Sequence, residues 1–211
     1  MIAWITSLRK YKSIHLLVVY TRYLIGGAFA FASIIKIKGE RFISVDGTGY
    51  PVHSTPHFFE TLYQSGLYWQ FLGWSQLVAA LLLMTQRFAT IGAILFLGII
   101  TNIVVITLSY DFALTPLITV MILLATVLLL VWDLPCLRVL FGKPPIIIEK
   151  GLVDARIWQI CGFLLFGFTL IYRLSVAQYN ILFWAGMCAG IGLLTLLYWF
   201  FKSRAQSNCE P

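Results

Sequence analysis

Six stretches of almost uncharged residues dominate this chain, at about 15–36, 67–85, 88–109, 113–132, 157–175 and 180–201. Each is close to the ~20 residues that cross the hydrocarbon core of a bilayer as an α-helix. Inside lipid the backbone has no water to bond, so such runs must close their own hydrogen bonds, and helices do this within one segment. Composition agrees. Only 11% of residues are charged and 60% are hydrophobic, whereas soluble domains carry about 25% charged residues. The sequence therefore predicts an all-α polytopic membrane protein: a four-helix transmembrane core plus two further C-terminal transmembrane helices.

The formal net charge of +7 does not point to nucleic acid. The basic residues sit between the apolar runs rather than in one stripe, so they read as topology signals. With the N-terminus inside, ten Lys and Arg fall on the inner side and four (Lys36, Lys38, Arg41 and Arg173) on the outer side. That bias predicts both termini on the cytoplasmic side of the membrane. The fifth run is short and ends near Arg173; a re-entrant fifth segment would instead move the C-terminus outside.

The divisions follow. Residues 1–14 form an interfacial segment in which Trp4, Ile5 and Leu8 face the membrane and Arg9, Lys10 and Lys12 the headgroups. Because "MIAWITSLRKYKS" places apolar residues ahead of its basic cluster, it does not read as a cleavable signal peptide. Residues 15–133 form the four-span core, 134–156 a cytoplasmic connector, 157–202 the two further spans and 203–211 a cytoplasmic tail. Within the connector, "PPIIIEKGLVDAR" suits a hairpin turning at Gly151 or an interfacial stretch. Cys136, Cys161, Cys188 and Cys209 show no CxxC spacing or pairing pattern and read as free thiols.

The first run carries the most informative pattern. Arg22, Gly26, Phe29, Ser33 and Lys36 follow +4, +3, +4, +3 spacing and share one helix face. A lipid-facing helix does not collect its polar groups in a line, so this face looks into the bundle. Gly26 and Gly27 would admit a close neighbour. Lys36 lies at the outer end, where it can snorkel to the headgroups. Arg22 lies about 10 Å along the axis from His15, where an Arg is costly. Three readings stay open for it: it snorkels and fixes register, it lines a polar pocket for an anionic or carbonyl-bearing ligand, or it pairs with a carboxylate such as Asp133.

The second and third runs add polar groups at similar depth. Trp69, Gly73, Gln76, Ala80 and Arg87 share one side of the second, and Gly98, Asn102 and Ser109 one side of the third. Gln76 and Asn102 either pair with each other or, with Trp74, offer donors and acceptors to a ligand head. Arg22, Lys36, Trp74, Gln76 and Asn102 are therefore the candidate ligand-binding residues.

The outer loop contains "HSTPHFFE". His53, His57 and Glu60 have helical ligand spacing, but Pro56 disfavours a helix through His53, and no metal site is expected. Phe58, Phe59, Tyr63 and Tyr68 read instead as an aromatic lid, with Asp111 near enough to pair with Lys36 or Arg41. In the sixth run Gly186 and Gly190 form GxxxG, a packing face within the chain or between copies. No phosphate loop, HExxH or Ser-His-Asp arrangement occurs, and no catalytic residue is nominated.

Residues ~20–133 resemble the DoxX-like family of small bacterial membrane proteins. The likeness lies in "RYLIGGAFAFASIIKIKG" and "GLYWQFLGWSQLVAALLLMTQRFATIGAILFLGIITNIVVI". The family often carries a glutamate where this chain has Gln76, a departure that removes a possible proton carrier. Some members are associated with quinone-linked respiratory or sulfur-oxidation complexes, and others with oxidative-stress assemblies. The resemblance implies an accessory subunit that binds a quinone or lipid in a membrane redox or stress process, with quinone as the implied cofactor. Two other readings remain: a small-solute transporter or oligomeric pore past Arg22 and Lys36, and a membrane scaffold holding a partner through its last two spans.

Overall fold

A computed structural model describes residues 2–110, 112–144, 156–176 and 178–207. The described residues are helical, with no strand among them. A short α1 (Ile2–Leu8) leads into α2 (Lys12–Ile37), followed by α3 (Thr55–Gln64), α4 (Leu67–Met84), α5 (Ala89–Ser109) and α6 (Thr115–Trp132). After α6 come one turn of helix, α7 (Leu134–Leu137), and a 3₁₀ turn (Arg138–Phe141), then α8 (Arg156–Ser175) and α9 (Ile181–Ser207). Six of these, α2, α4, α5, α6, α8 and α9, are long and apolar enough to cross a membrane. The chain is an all-helical polytopic membrane protein. The fifth crossing is a full 20-residue helix.

Short turns set the order of the bundle. Only four residues, 85–88, separate α4 from α5, and five, 110–114, separate α5 from α6, so consecutive helices must run antiparallel and side by side. The first turn is closed by Gln86 at φ +59°, a left-handed conformation that is uncommon for a residue with a Cβ. Helix α2 is the hub. It packs on α4, α8 and α6, while α5 packs on α4 and α6, and α9 on α8. Its apolar window is 61% buried, against 6% for α9, which leaves α9 almost wholly facing outward.

Small residues let the hub close. A Cβ on Gly26 would lie 2.5 Å from Met84 Cγ and 3.1 Å from the Ala80 carbonyl oxygen, so the absence of a side chain on α2 lets the Met84 side chain and the α4 backbone press against it. Gly162 brings α8 in the same way: its Cβ would stand 2.0 Å from the Met84 carbonyl oxygen. The core is continuous from α2 (Val19, Tyr23, Phe29) through α4, α5 and α6 to Trp158, Cys161 and Leu165 of α8. The fifth crossing therefore shares one core with the first four.

Other expectations are corrected. Gly27 does not meet a backbone; its Cβ would touch only the Trp184 indole of α9, at 3.7 Å. Gly186 and Gly190 have nothing within 4 Å, because they lie on the outward face of α9 and do not pack within the chain. The α9 glycine that does pack is Gly192, whose carbonyl accepts a 2.8 Å hydrogen bond from the Tyr20 hydroxyl. In α1, Trp4 is exposed but Ile5 is buried in the protein, so the segment docks on the bundle through Ile5. The stretch 145–155, with Gly151, lies outside the described residues, as do Asp111 and Cys209. Cys136, Cys161 and Cys188 are free thiols.

Candidate functional site

Two polar places interrupt the apolar bundle, at opposite ends of α2. The first surrounds Asp133, just past the end of α6. Arg22 is 2% exposed and spreads its guanidinium over two partners. Its Nη2 donates to both oxygens of Asp133, at 2.9 and 3.1 Å, and its Nη1 to Gln86 Oε1 at 3.1 Å. Thr90, in the first turn of α5, donates to Asp133 Oδ2 at 2.9 Å. A second guanidinium, Arg9, stands 3.8 Å from Asp133 Oδ1. It also donates to the Trp132 carbonyl and lies 4.8 Å from the Trp132 ring centroid. His15 bonds the Arg9 carbonyl at 2.6 Å and sets its ring edge-on to Trp132.

One carboxylate thus ties the start of α2, the α4–α5 turn, the start of α5, the end of α6 and the N-terminal segment. Of the three readings of Arg22, the geometry selects the pair with Asp133. The sequence made Arg22 look deep because α2 starts at Lys12, ahead of its neighbours. Arg22 is level with the ends of α4, α5 and α6, where a helix-end aspartate can reach it. Arg9 turns inward to this cluster rather than out to headgroups. Gln86 and Thr90 were not singled out from sequence: a Gln and a Thr in or beside a turn carry no signal until the fold brings them to one carboxylate.

The second place is a cleft of about 1020 Å³ at the other end of the bundle. Its walls come from α2 (Phe29, Ala32, Lys36), α4 and α5, and its roof from Phe42 and from Phe58 and Phe59 of α3. Four of the five nominated residues, Lys36, Trp74, Gln76 and Asn102, line this one cleft. Arg22 does not. The fourteen residues that separate it from Lys36 amount to ~21 Å of helix at 1.5 Å each, too far for one head group.

Lys36 departs from its expected role. Rather than snorkelling, it is 7% exposed and curls back so that Nζ donates to the Ala32 carbonyl at 2.9 Å. The Phe42 ring centroid lies 4.6 Å from Nζ and that of Trp69 5.4 Å. The reason is steric: the chain after α2 folds Phe42 across the helix end, and α4 begins with Trp69 beside it. No carboxylate among the described residues pairs with Lys36. Gly73 permits this closeness, since a Cβ there would lie 2.9 Å from Lys36 Cβ.

Gln76 is 6% exposed, and its Oε1 has no hydrogen-bond partner. It lines the cleft with Asn102, and no hydrogen bond joins the two amides. Phe71, Trp74, Val78 and Leu95 line the cleft and are exposed, so the mouth opens on the lateral surface between α4 and α5. Gly98 lies on the same wall, and nothing would touch a Cβ placed on it.

The roof is held by charge. Ser54 caps α3, with Pro56 in its first turn, so the helix starts after His53, as the proline dictates. Arg41 donates to both oxygens of the buried Glu60, at 2.8 and 2.9 Å, and to Asp46 at 3.4 Å. These contacts push the Arg41 guanidinium pKa upward, chiefly through Glu60. Hydrogen bonding from Arg41 holds the Glu60 carboxyl below the ordinary carboxylate range, and the Thr48 amide does the same for Asp46. Glu60 is therefore committed to Arg41, and no group of three metal-ligating side chains occurs among the described residues. Of the expected lid, Phe58, Phe59 and Tyr68 line the cleft, while Tyr63 lies against Arg41 at 5.0 Å.

No family model matches this chain, and no solved structure matches it. Over 65 residues it is 37% identical to the uncharacterized protein YwoB of Bacillus subtilis (strain 168). That stretch is 31% of this chain and 42% of the relative, so the chain spans less than half the length of the protein it matches.

Proposed function

We propose that this membrane protein binds a lipid-like amphipathic molecule in the lateral cleft between α4 and α5, and serves as a small-molecule-binding accessory subunit in a membrane redox or stress process. The carrying observation is the convergence of Lys36, Gln76, Asn102 and Trp74 on one apolar cavity with a lateral mouth. Pockets of roughly 300–1,000 Å³ with apolar walls and a few polar anchors are what small-molecule sites look like, and a molecule held here enters from the membrane. The place in a redox or stress process, and quinone as one occupant, rest on the resemblance to the DoxX-like family, whose membership is part of the proposal. So is the orientation, with both termini cytoplasmic in a bacterial inner membrane and the cleft in the outer half; it rests on the ten-to-four bias of basic residues.

The transporter reading has less support, because Arg22 is engaged by Asp133 and Gln86 and lies away from the cleft. The scaffold reading keeps one observation: the outward face of α9 with Gly186 and Gly190 open. Native mass spectrometry in mild detergent, with lipid extraction, separates these readings when applied to wild type and Gly98→Phe. A Cβ at position 98 meets nothing within 4 Å on the cleft wall, so the backbone tolerates a side chain there and a Phe ring takes up cleft space. Wild type is expected to retain a stoichiometric amphiphile that the variant loses. Equal retention, or an empty wild type, overturns the proposal.

A further inference from the structure

Two of the polar groups that line the cleft, Lys36 and Gln76, are buried with unmet needs of opposite kind, and together they describe the head of its occupant. Lys36 is a cation almost removed from water, with one carbonyl, two aromatic faces and no carboxylate among the described residues. An ammonium has three donors. Burying a charge without a counter-charge is expensive, and the aromatic faces offset only a part of that. Gln76 presents the opposite need: a buried carbonyl oxygen without a donor. Their relative placement follows from α4. Gly73 lies against Lys36 Cβ, and Gln76 is three residues further along the same helix face. That sets the Gln76 backbone about 4.5 Å further into the bundle than the point facing Lys36 Cβ, and Lys36 Nζ curls the same way to the Ala32 carbonyl, so both side chains serve one stretch of the cleft.

We infer that the cleft takes an anionic single-chain lipid whose acidic group sits at Lys36 and whose adjacent hydroxyl donates to Gln76, the chemistry of a monoacylglycerol phosphate. This rests on the reading of the cleft as an amphiphile site and narrows its ligand class. The acid supplies the missing counter-charge. A hydroxyl a few bonds from the acid supplies the missing donor beside it. The acyl chain then lies along the apolar wall of Phe29, Leu95 and Ile99 toward the lateral mouth. A neutral quinone can accept from Lys36 and from the Gln76 amide nitrogen, but it leaves the Lys36 charge uncompensated. A free phosphate ion satisfies Lys36 but leaves the apolar walls empty.

The test is a native mass spectrometric titration of the delipidated full chain with monooleoylglycerol phosphate and with monooleoylglycerol, which differ only in the phosphate. The phosphate form is expected to bind about ten- to a hundredfold more tightly, the range of one charge-assisted hydrogen bond in a dry site. Lys36→Met is expected to abolish that preference while keeping the neutral lipid, and Lys36→Arg to preserve it, which guards against a merely misfolded variant. Gln76→Leu is expected to weaken both lipids to the same degree. Inorganic phosphate at the same concentrations is expected not to displace the lipid. Equal binding of the two lipids by wild type overturns this inference and leaves the cleft reading standing. A preference that survives in Lys36→Met, or displacement by inorganic phosphate, overturns it too. Binding of neither lipid overturns the inference, while the cleft reading falls only if wild type and Gly98→Phe retain the same native amphiphile or none.

Discussion

Replacing Asp133 by asparagine keeps the shape of the side chain and removes its charge. The structure makes the consequence steep. Asp133 is 5% exposed and Arg22 2%, so neither can turn to water when the other is neutralised. Arg22 would keep two neutral amide oxygens as acceptors, that of Gln86 and that of the new side chain, but no counter-charge, and Arg9, itself a cation, could not supply one. Removing one partner of a buried ion pair costs about 3–5 kcal/mol. At about 2–4 °C per kcal/mol for a chain of this size, the melting temperature should fall by roughly 6–20 °C. Intrinsic tryptophan fluorescence in detergent reads this directly, because Trp132 abuts the cluster. Asp133→Leu combined with Arg22→Met should recover most of the loss, since a buried pair exchanged for apolar side chains is often neutral. The coupling between the two sites is then the difference between the double and the summed single effects. A loss under ~1 kcal/mol for Asp133→Asn, or a double variant as damaged as the sum, refutes the cluster as the device that ties the helix ends.

Three further outcomes follow from the same geometry. Gly162→Ala should cost at least ~1–3 kcal/mol in detergent melts, as overpacking does, because its Cβ meets the Met84 backbone; Gly190→Ala, with nothing nearby, should stay within ~0.5 kcal/mol. Closure of the α3 roof, read as amide exchange over residues 55–64, should be flat across neutral pH and be lost only in acid. The Glu60 carboxyl is held below its ordinary range, so its pairing with Arg41 is complete above the unfolded value of about 4.3 and lost as pH drops through the lower folded value; a midpoint near neutrality would implicate another group. Glu60→Gln should loosen the α3 roof at neutral pH, read as faster amide exchange over residues 55–64.

The architecture was legible because the bilayer allows few solutions: an uncharged run of twenty residues closes its backbone bonds as a helix, and basic residues gather between runs except where, as at Arg22, the protein shelters them. The stripe on α2 was legible for the same reason, since polar groups aligned at helical spacing must face protein. Roles at either end of the stripe were not. Arg22 looked like the costly charge and Lys36 the free one, and the fold reverses them. An aspartate 111 residues away reaches Arg22, while Phe42, unmarked in sequence, and Trp69, read only as part of one face of the second run, close over Lys36. Spacing along one helix gives a face and a depth. It does not give the partner that arrives from elsewhere. The glycines of α9 teach the same lesson, because GxxxG reports a smooth face but not whether anything covers it.

The most direct test of the central claim is photolabelling in native membranes with a lipid that carries a diazirine on its acyl chain, followed by peptide mapping. Lipid lying merely around the protein would label α9 and the outward residues of α4 most strongly. Occupancy of the cleft predicts added labelling of Ile99 in its wall and of Phe58 and Phe59 in its roof, abolished in Gly98→Phe while α9 labelling is unchanged. Labelling confined to the outward faces, identical in wild type and variant, would contradict the account.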